Sequence, residues 1–371
     1  MVAKAARATG RRTARPTRSG VADVKRLFAA IEATDLAGFQ TLVADGADIN
    51  ASHRGYTPLH ALIQSKPHAH GAAPTAEALR MLRWMLAHGA DPERLGGWPA
   101  VRAVILAAIT GVPTVLDVLI DAGAKTDVYV AAATGDLAAV RRAIARDAAV
   151  ATSRDASGLT ALQCAAASRL WQGDAARATR LIAVAEALLD AGADVRAITI
   201  SRNQPVTAAY FAASAHHVAL FDVLLARGAD ATEALTAALW NGGDAFAALA
   251  ERALAHGAEV NRAEAAGRPL LNDLIRWGQF APARWLLAHG ADPNRAQREG
   301  LVDSDGRALD SGGWTALHQA AARGNAAMVA DLLAAGADTG RRDAAGRTPL
   351  DIARVAPLKT LLKKARGIMH S

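Results

Sequence analysis

Cysteine is almost missing from this sequence: Cys164 stands alone among 371 residues. One thiol cannot close an intramolecular disulfide, and it offers no cysteine cluster for structural zinc. A reducing compartment such as the cytoplasm fits that usage. Aromatic residues are scarce too, at 4%, against 51% apolar residues overall. A core of Ala, Leu and Val suits closely packed helices better than a sheet, which favours β-branched and aromatic side chains. No apolar run approaches the roughly 18 residues that a membrane span needs.

The body of the chain also lacks a basic excess. The net charge of +7 is carried by the ends: residues 1–20 hold Lys4, Arg7, Arg11, Arg12, Arg15 and Arg18 with no acid, and residues 341–371 hold eight Lys/Arg against Asp343 and Asp351. Each end is therefore +6, and residues 21–340 come to −5. An acidic body with two basic ends argues against a nucleic-acid-binding groove along the chain. Residues 1–20 have no apolar core of the secretory kind and read as a basic disordered arm, with a targeting or export arm as the alternative.

What is abundant is a returning phrase. "TLVADGAD", "WMLAHGAD", "VLIDAGAK", "ALLDAGAD", "VLLARGAD", "RALAHGAE", "WLLAHGAD" and "DLLAAGAD" place Gly46, Gly89, Gly123, Gly192, Gly228, Gly257, Gly290 and Gly336 after an apolar run. This is a helix ending on a left-handed glycine. A ninth copy has Asp147 in the glycine's place. The cleanest upstream copy, "GGWTALHQAAARGNAAMVADLLAAGAD", predicts a helix N-capped by Thr315, a break at Gly324 and a second amphipathic helix. One such pair encloses no core, but stacked pairs bury their leucines against both neighbours.

The phrases "TALHQAA" and "TPLHALI" resemble the ankyrin repeat, whose signature is T-P-L-H-x-A in a 33-residue unit. Thr57-Pro58-Leu59-His60 matches in full, Thr315-Ala316-Leu317-His318 lacks the proline, and Thr348-Pro349-Leu350-Asp351 lacks the histidine. Thr160 and Thr207 open weaker copies, and "GRPLLNDLI" is weaker again. The resemblance implies an all-α solenoid of stacked helix-turn-helix units with β-hairpin fingers, a concave groove that binds other proteins, and no catalytic residues. It implies that His60 and His318 hydrogen-bond within and between repeats.

The expected organisation is the arm 1–20, one array over 21–366 and a tail 367–371. Approximate units are 21–50, 51–93, 94–127, 128–154, 155–197, 198–230, 231–261, 262–294, 295–342 and 343–366. The motif threonine lies 21 residues before the glycine in two units (Thr315, Thr207) but 32 residues before it in two others (Thr57, Thr160). Insertions near 66–77 and 169–180 follow. The units after Gly123 and Gly228 are expected to lack a finger, and 295–313 to form an enlarged one.

Candidate sites are few. His68 and His70 form a pair in the first insertion, with His53 upstream, yet no acid or cysteine joins them before Glu77, and structural zinc takes four ligands. "DSDG" at Asp303–Gly306 begins like a calcium loop but lacks the bidentate glutamate. Cys164 faces the expected core, "GGWPAV" and "NGGD" are not phosphate loops, and no Ser/His/Asp set has a nucleophile's context. No cofactor, metal or small-molecule substrate is expected. His88, His256 and His289 share one register before the terminal glycine and should face the helix's carbonyl end. Trp84 and Trp285, in near-identical phrases, read as scaffold.

The groove positions that the resemblance implies are His53, Arg54, Tyr56, Trp314 and Arg347 on fingers, and Arg276, Trp277 and Arg323 at first-helix ends. Tyr, Trp and Arg are the residue types enriched at binding hot spots. The expected function is a monomeric, non-catalytic scaffold for an unidentified protein partner. A secreted bacterial effector and nucleic-acid binding through the basic ends are the alternatives. The Ala/Arg bias points to a GC-rich bacterial genome.

Overall fold

The computed structural model describes residues 18–65, 74–201, 204–261, 267–298 and 312–368. Residues 1–17, the His68/His70 pair, the "DSDG" turn, most of the enlarged finger and the last residues of the tail lie outside this set.

Ten helix pairs follow one another: α1 (Arg18–Glu32) and α2 (Leu36–Ala44), α3 (Pro58–Ile63) and α4 (Ala76–Ala87), α5 (Ala103–Thr110) and α6 (Pro113–Asp121), α7 (Val128–Thr134) and α8 (Leu137–Arg146), α9 (Ala161–Ala167) and α10 (Ala175–Asp190), α11 (Ala208–Ser214) and α12 (Val218–Ala226), α13 (Ala231–Asn241) and α14 (Phe246–Ala255), α15 (Leu270–Trp277) and α16 (Phe280–Ala288), α17 (Ala316–Arg323) and α18 (Ala326–Ala334), α19 (Pro349–Ile352) and α20 (Ala356–Ile368). First helices stack on first helices from α1 to α13 and again from α15 to α19. Second helices stack from α2 to α6 and from α8 to α20, and α14 on α16 carries the array across its eighth pair. The core is one continuous cluster of small and branched side chains, such as Ala320, Leu317 and Leu332, each fully buried. Burying a leucine contributes roughly 1.5–3 kcal/mol, so each pair is stable only between neighbours.

Each second helix that ends on the returning phrase closes in the same way. The eight glycines have φ between +84° and +96°. The alanine after each donates its N–H to the carbonyl five residues back, as Ala90 does to Met85 at 2.9 Å and Ala337 to Leu332 at 2.9 Å. This is the Schellman ending. The pair without the glycine leaves differently. Asp147 is extended, at φ −154°, and its carboxylate caps the 3₁₀ turn Ala148–Ala151 through Ala149 N–H at 3.0 Å.

The fingers are short. His53 and Tyr56 exchange backbone hydrogen bonds at 2.9 and 3.0 Å around Arg54 and Gly55, both at positive φ. Two such residues make the tightest hairpin turn. A fuller finger pairs β1 (Thr199–Ser201) with β2 (Gln204–Val206) and leaves Ile200 64% exposed. The enlarged finger is closed at its base by Gln297, which bonds Trp314 at 2.7 Å and Gly313 at 2.9 Å through the backbone. After Gly123 and Gly228 there is no finger: Asp127 and Asp230 cap α7 and α13 within a few residues.

The second insertion is not a surface loop. It lengthens α10 to 16 residues and folds 169–174 back across the first helices. Arg169 N–H donates to Ala108 at 2.9 Å, its guanidinium donates to the Ser214 carbonyl, and Leu170 is buried. Trp171 packs at 4.6 Å on His217.

Candidate functional site

The motif histidine is a tie between units. His60 Nε2 donates to the Val101 carbonyl at 2.8 Å, and Nδ1 meets Thr57 Oγ1 at 2.7 Å. His318 repeats this on Arg347 at 3.1 Å and Thr315 Oγ1 at 2.8 Å. In the weaker copies an amide takes over: Gln163 Nε2 donates to Val206 at 3.1 Å, and Asn272 Nδ2 to Trp314 at 2.8 Å. In all four cases the acceptor carbonyl belongs to the residue just before the next first helix's N-cap. The sequence signal for Gln163 and Asn272 was their position, four residues into the motif.

A second tie was missed in the sequence. Asn50, Asn261 and Asn294 each stand four residues after a terminal glycine. Each donates its amide to the next unit's glycine carbonyl, Gly89, Gly290 or Gly336, at 2.8, 2.8 and 3.0 Å. Each also accepts from the N–H two residues beyond, on Asp91, Asp292 or Asp338. Arg196 takes the same place and donates to Gly228 at 2.7 Å.

His88 and His289 face their helix ends as expected, with Nδ1 on the carbonyls of Trp84 and Trp285 at 2.8 and 2.7 Å and the rings stacked on those indoles. The Nε2 of His289 also meets Glu251 at 3.0 Å, and that of His256 lies 3.4 Å from Asp222, each an acid one unit back. Cys164 is wholly buried, and burial pushes its thiol well up, away from the reactive thiolate. Among the described residues no group of three or more His, Cys, Asp or Glu is arranged to hold a metal. No helix among them is long and apolar enough to cross a membrane.

Six of the eight expected groove residues line two separate clefts. His53, Arg54 and Tyr56 join Lys25, Phe28 and Glu32 around a small cleft of about 350 Å³. Phe28 sets its edge against the His53 ring at 5.3 Å. At the other end, Arg276, Trp314 and Arg347 join Gln319, Asp351, Arg354 and Lys359 around a cleft of about 710 Å³. Elsewhere along the array the chain makes long-range contacts of its own. Trp98 on one finger meets Tyr210 of α11 at 6.4 Å, Arg169 bonds α5 and the end of α11, and α5 touches α9 directly.

The second cleft is organised by Asp343, whose side chain is fully buried. Its carboxylate accepts from the Trp314 indole N–H at 3.0 Å, from Arg347 Nε at 2.9 Å and from the Arg347 N–H at 2.7 Å. Burial alone would raise its pKa, but these donors outweigh burial and hold the carboxyl below its usual range. Trp314 and Arg347 are thus fixed by one acid that the sequence did not single out. Trp277, the neighbour of Arg276, is 65% exposed, with the Arg276 guanidinium 5.7 Å from its ring. Arg323 lies outside the cleft: it donates to the Arg276 carbonyl and sits 5.9 Å from the Phe280 ring.

Residues 301–353, which include this cleft's Trp314, Gln319 and Arg347, match the family model described as "Ankyrin repeats (many copies)". With the stacked helix pairs, the Schellman endings and the hairpin fingers, the architecture is an ankyrin-type solenoid. No curated protein matches the chain significantly. Among solved structures, the human ASB11 ankyrin repeat domain is 24% identical and aligns over 65% of this chain and 98% of its own, with a TM-score of 0.45.

Proposed function

We propose that the chain is a non-catalytic scaffold that holds a protein partner against the concave side, chiefly through the cleft around Trp314. Ankyrin repeats are in general protein-protein interaction modules, which supports this class of function. The observation that carries the assignment to this place is the shared Asp343. It pins an indole and a guanidinium, two side chains common at binding hot spots, in one orientation before any partner arrives. A preformed surface loses little conformational entropy on binding.

The test is crosslinking-coupled capture by the full chain, compared with Trp277→Ala and Arg276→Ala variants checked for unchanged helicity. Partners that are lost from both variants support the reading. Partners captured equally by all three forms, and crosslinked elsewhere, would move the binding surface away from this cleft.

A further inference from the structure

The chemistry of the cleft narrows the partner. Arg276 ends α15, Arg347 precedes α19, Arg354 lies between α19 and α20, and Lys359 stands on α20. Arg276 thus joins three cations from the last pair around one opening. Among the described residues the one acid in the lining, Asp351, is engaged within the fold: it accepts from Thr348 N–H at 2.8 Å and Thr348 Oγ1 at 2.7 Å. Asp343, behind them, is bonded to Trp314 and Arg347. Because the indole N–H is already satisfied there, Trp314 offers its ring rather than its donor.

Resting on the protein-binding reading above, we infer that this cleft takes an acidic, extended segment of the partner protein. Its carboxylates meet Arg276, Arg347, Arg354 and Lys359, and an apolar side chain packs on the Trp314 ring. Charge complementarity selects the segment and speeds its arrival. The surroundings favour a short peptide over a nucleic acid. The four cations gather at this cleft, while residues 21–340 carry a net −5, so a long polyanion leaving the cleft would run along an acidic body. A peptide of a few residues fits within about 710 Å³ and stays clear of it.

The probe is a fluorescein-labelled peptide of alternating Glu and Leu, with Gln and Lys counterparts, titrated with the full-length protein. The Glu peptide should bind and the other two should not. Arg354→Glu combined with Lys359→Glu should weaken it about tenfold or more, and raising salt should weaken it as well. Arg54→Glu, in the other cleft, should leave it unchanged. Equal binding by the charge-reversed variant overturns the inference. So does a single-stranded oligonucleotide that displaces the peptide more readily than unlabelled peptide does. Selection of random displayed peptides on the full chain separates the two levels. Selected peptides that depend on Trp277 but are poor in Asp and Glu would sink the acidic-segment inference alone. Peptides indifferent to every cleft substitution would sink the cleft as a binding surface altogether.

Discussion

His60 reaches across 41 residues of chain to hold Val101, and the bond fixes its protonation state. A carbonyl only accepts, so Nε2 carries the hydrogen. Burial keeps the ring neutral, so Nδ1 accepts from the Thr57 hydroxyl. His318 is bound the same way, with Nδ1 also accepting the Thr315 N–H at 3.2 Å. His217, buried at the start of α12, uses Nδ1 to accept the Leu220 N–H at 3.3 Å. Three interior positions therefore require an unprotonated imidazole nitrogen.

Acid should unfold the array before its carboxylates titrate. Burial lowers His60 to about 4, and it lowers His217 and His318 as well. In the unfolded chain a histidine takes up a proton near 6.5, whereas the folded His60 resists it down to about 4. The stability is present above 6.5 and is lost as the pH falls from there through 4. For His60 alone the full loss is on the order of 3 kcal/mol. Urea unfolding at a series of pH values measures it. The control is His60→Gln, since Gln163 already makes the same tie with an amide that does not titrate. A variant that retains the wild-type pH dependence would refute the assignment.

The amide at Asn272 should matter as much as the motif histidines do. It is buried, and its only described bond across units is to Trp314, the residue that fronts the larger cleft. Asn272→Ala leaves the Trp314 carbonyl without this donor and should cost roughly 1–3 kcal/mol. Because that carbonyl sits on the cleft's own finger, Trp314 fluorescence should shift in the folded variant. A stability loss within error of zero would show that solvent replaces the amide freely.

How much of this could be read beforehand follows from what repeats do to sequence. Gly89 and Thr57 were legible because helix ends demand particular backbone conformations and cap atoms, and few residue types supply them. Asn50 and Asn294 were missed although they recur, because an exposed asparagine beside a turn is common and its long-range bond leaves no local pattern. Asp343 was counted as part of a basic tail, since burial cannot be seen in a charge tally. The meeting of Trp98 with Tyr210, and of Arg169 with Ala108 and Ser214, is long-range packing, and repeat spacing carries no information about it. The listing of Arg276, Trp314 and Arg347 as groove positions came from repeat register, which does place them around one cleft. Their role in binding rests on the experiments proposed above.

Two kinds of glycine should respond differently to alanine. At Gly89 an added Cβ meets nothing within 4 Å, so only the left-handed backbone at φ +92° resists it. Gly89→Ala should cost about 1 kcal/mol. Gly111 is also left-handed, at φ +77°, but its Cβ would lie 2.9 Å from Arg169 Cβ and 3.1 Å from the Arg169 carbonyl oxygen. Gly111→Ala should cost clearly more, and it should loosen the inserted segment 169–174 first. Hydrogen exchange at the Arg169 amide, which bonds Ala108, reads that loosening directly. Equal costs at the two sites would mean that the segment shifts without penalty.

The pair α5/α6 has no histidine motif, and its tie is ionic. Arg102 has a side chain only 6% exposed and bonds both Asp127 carboxylate oxygens at 3.0 Å, Glu93 at 3.3 Å and the Lys125 carbonyl at 3.2 Å. Asp127 in turn caps α7 through the Tyr129 and Val130 N–H groups. The arginine thus joins the end of one unit to the first turn of the next, where no finger exists. Arg102→Ala removes the cation but leaves Asp127 and Glu93 facing a partly buried void, and a broken buried pair costs about 3–5 kcal/mol. Arg102→Met restores volume without charge and should recover only a fraction. Adding Asp127→Asn to Arg102→Met should recover more, because the uncompensated acid is then gone while the cap oxygen remains. Urea unfolding of the single and double variants closes the cycle. If Asp127→Asn fails to relieve Arg102→Met, the arginine acts through packing and not through charge.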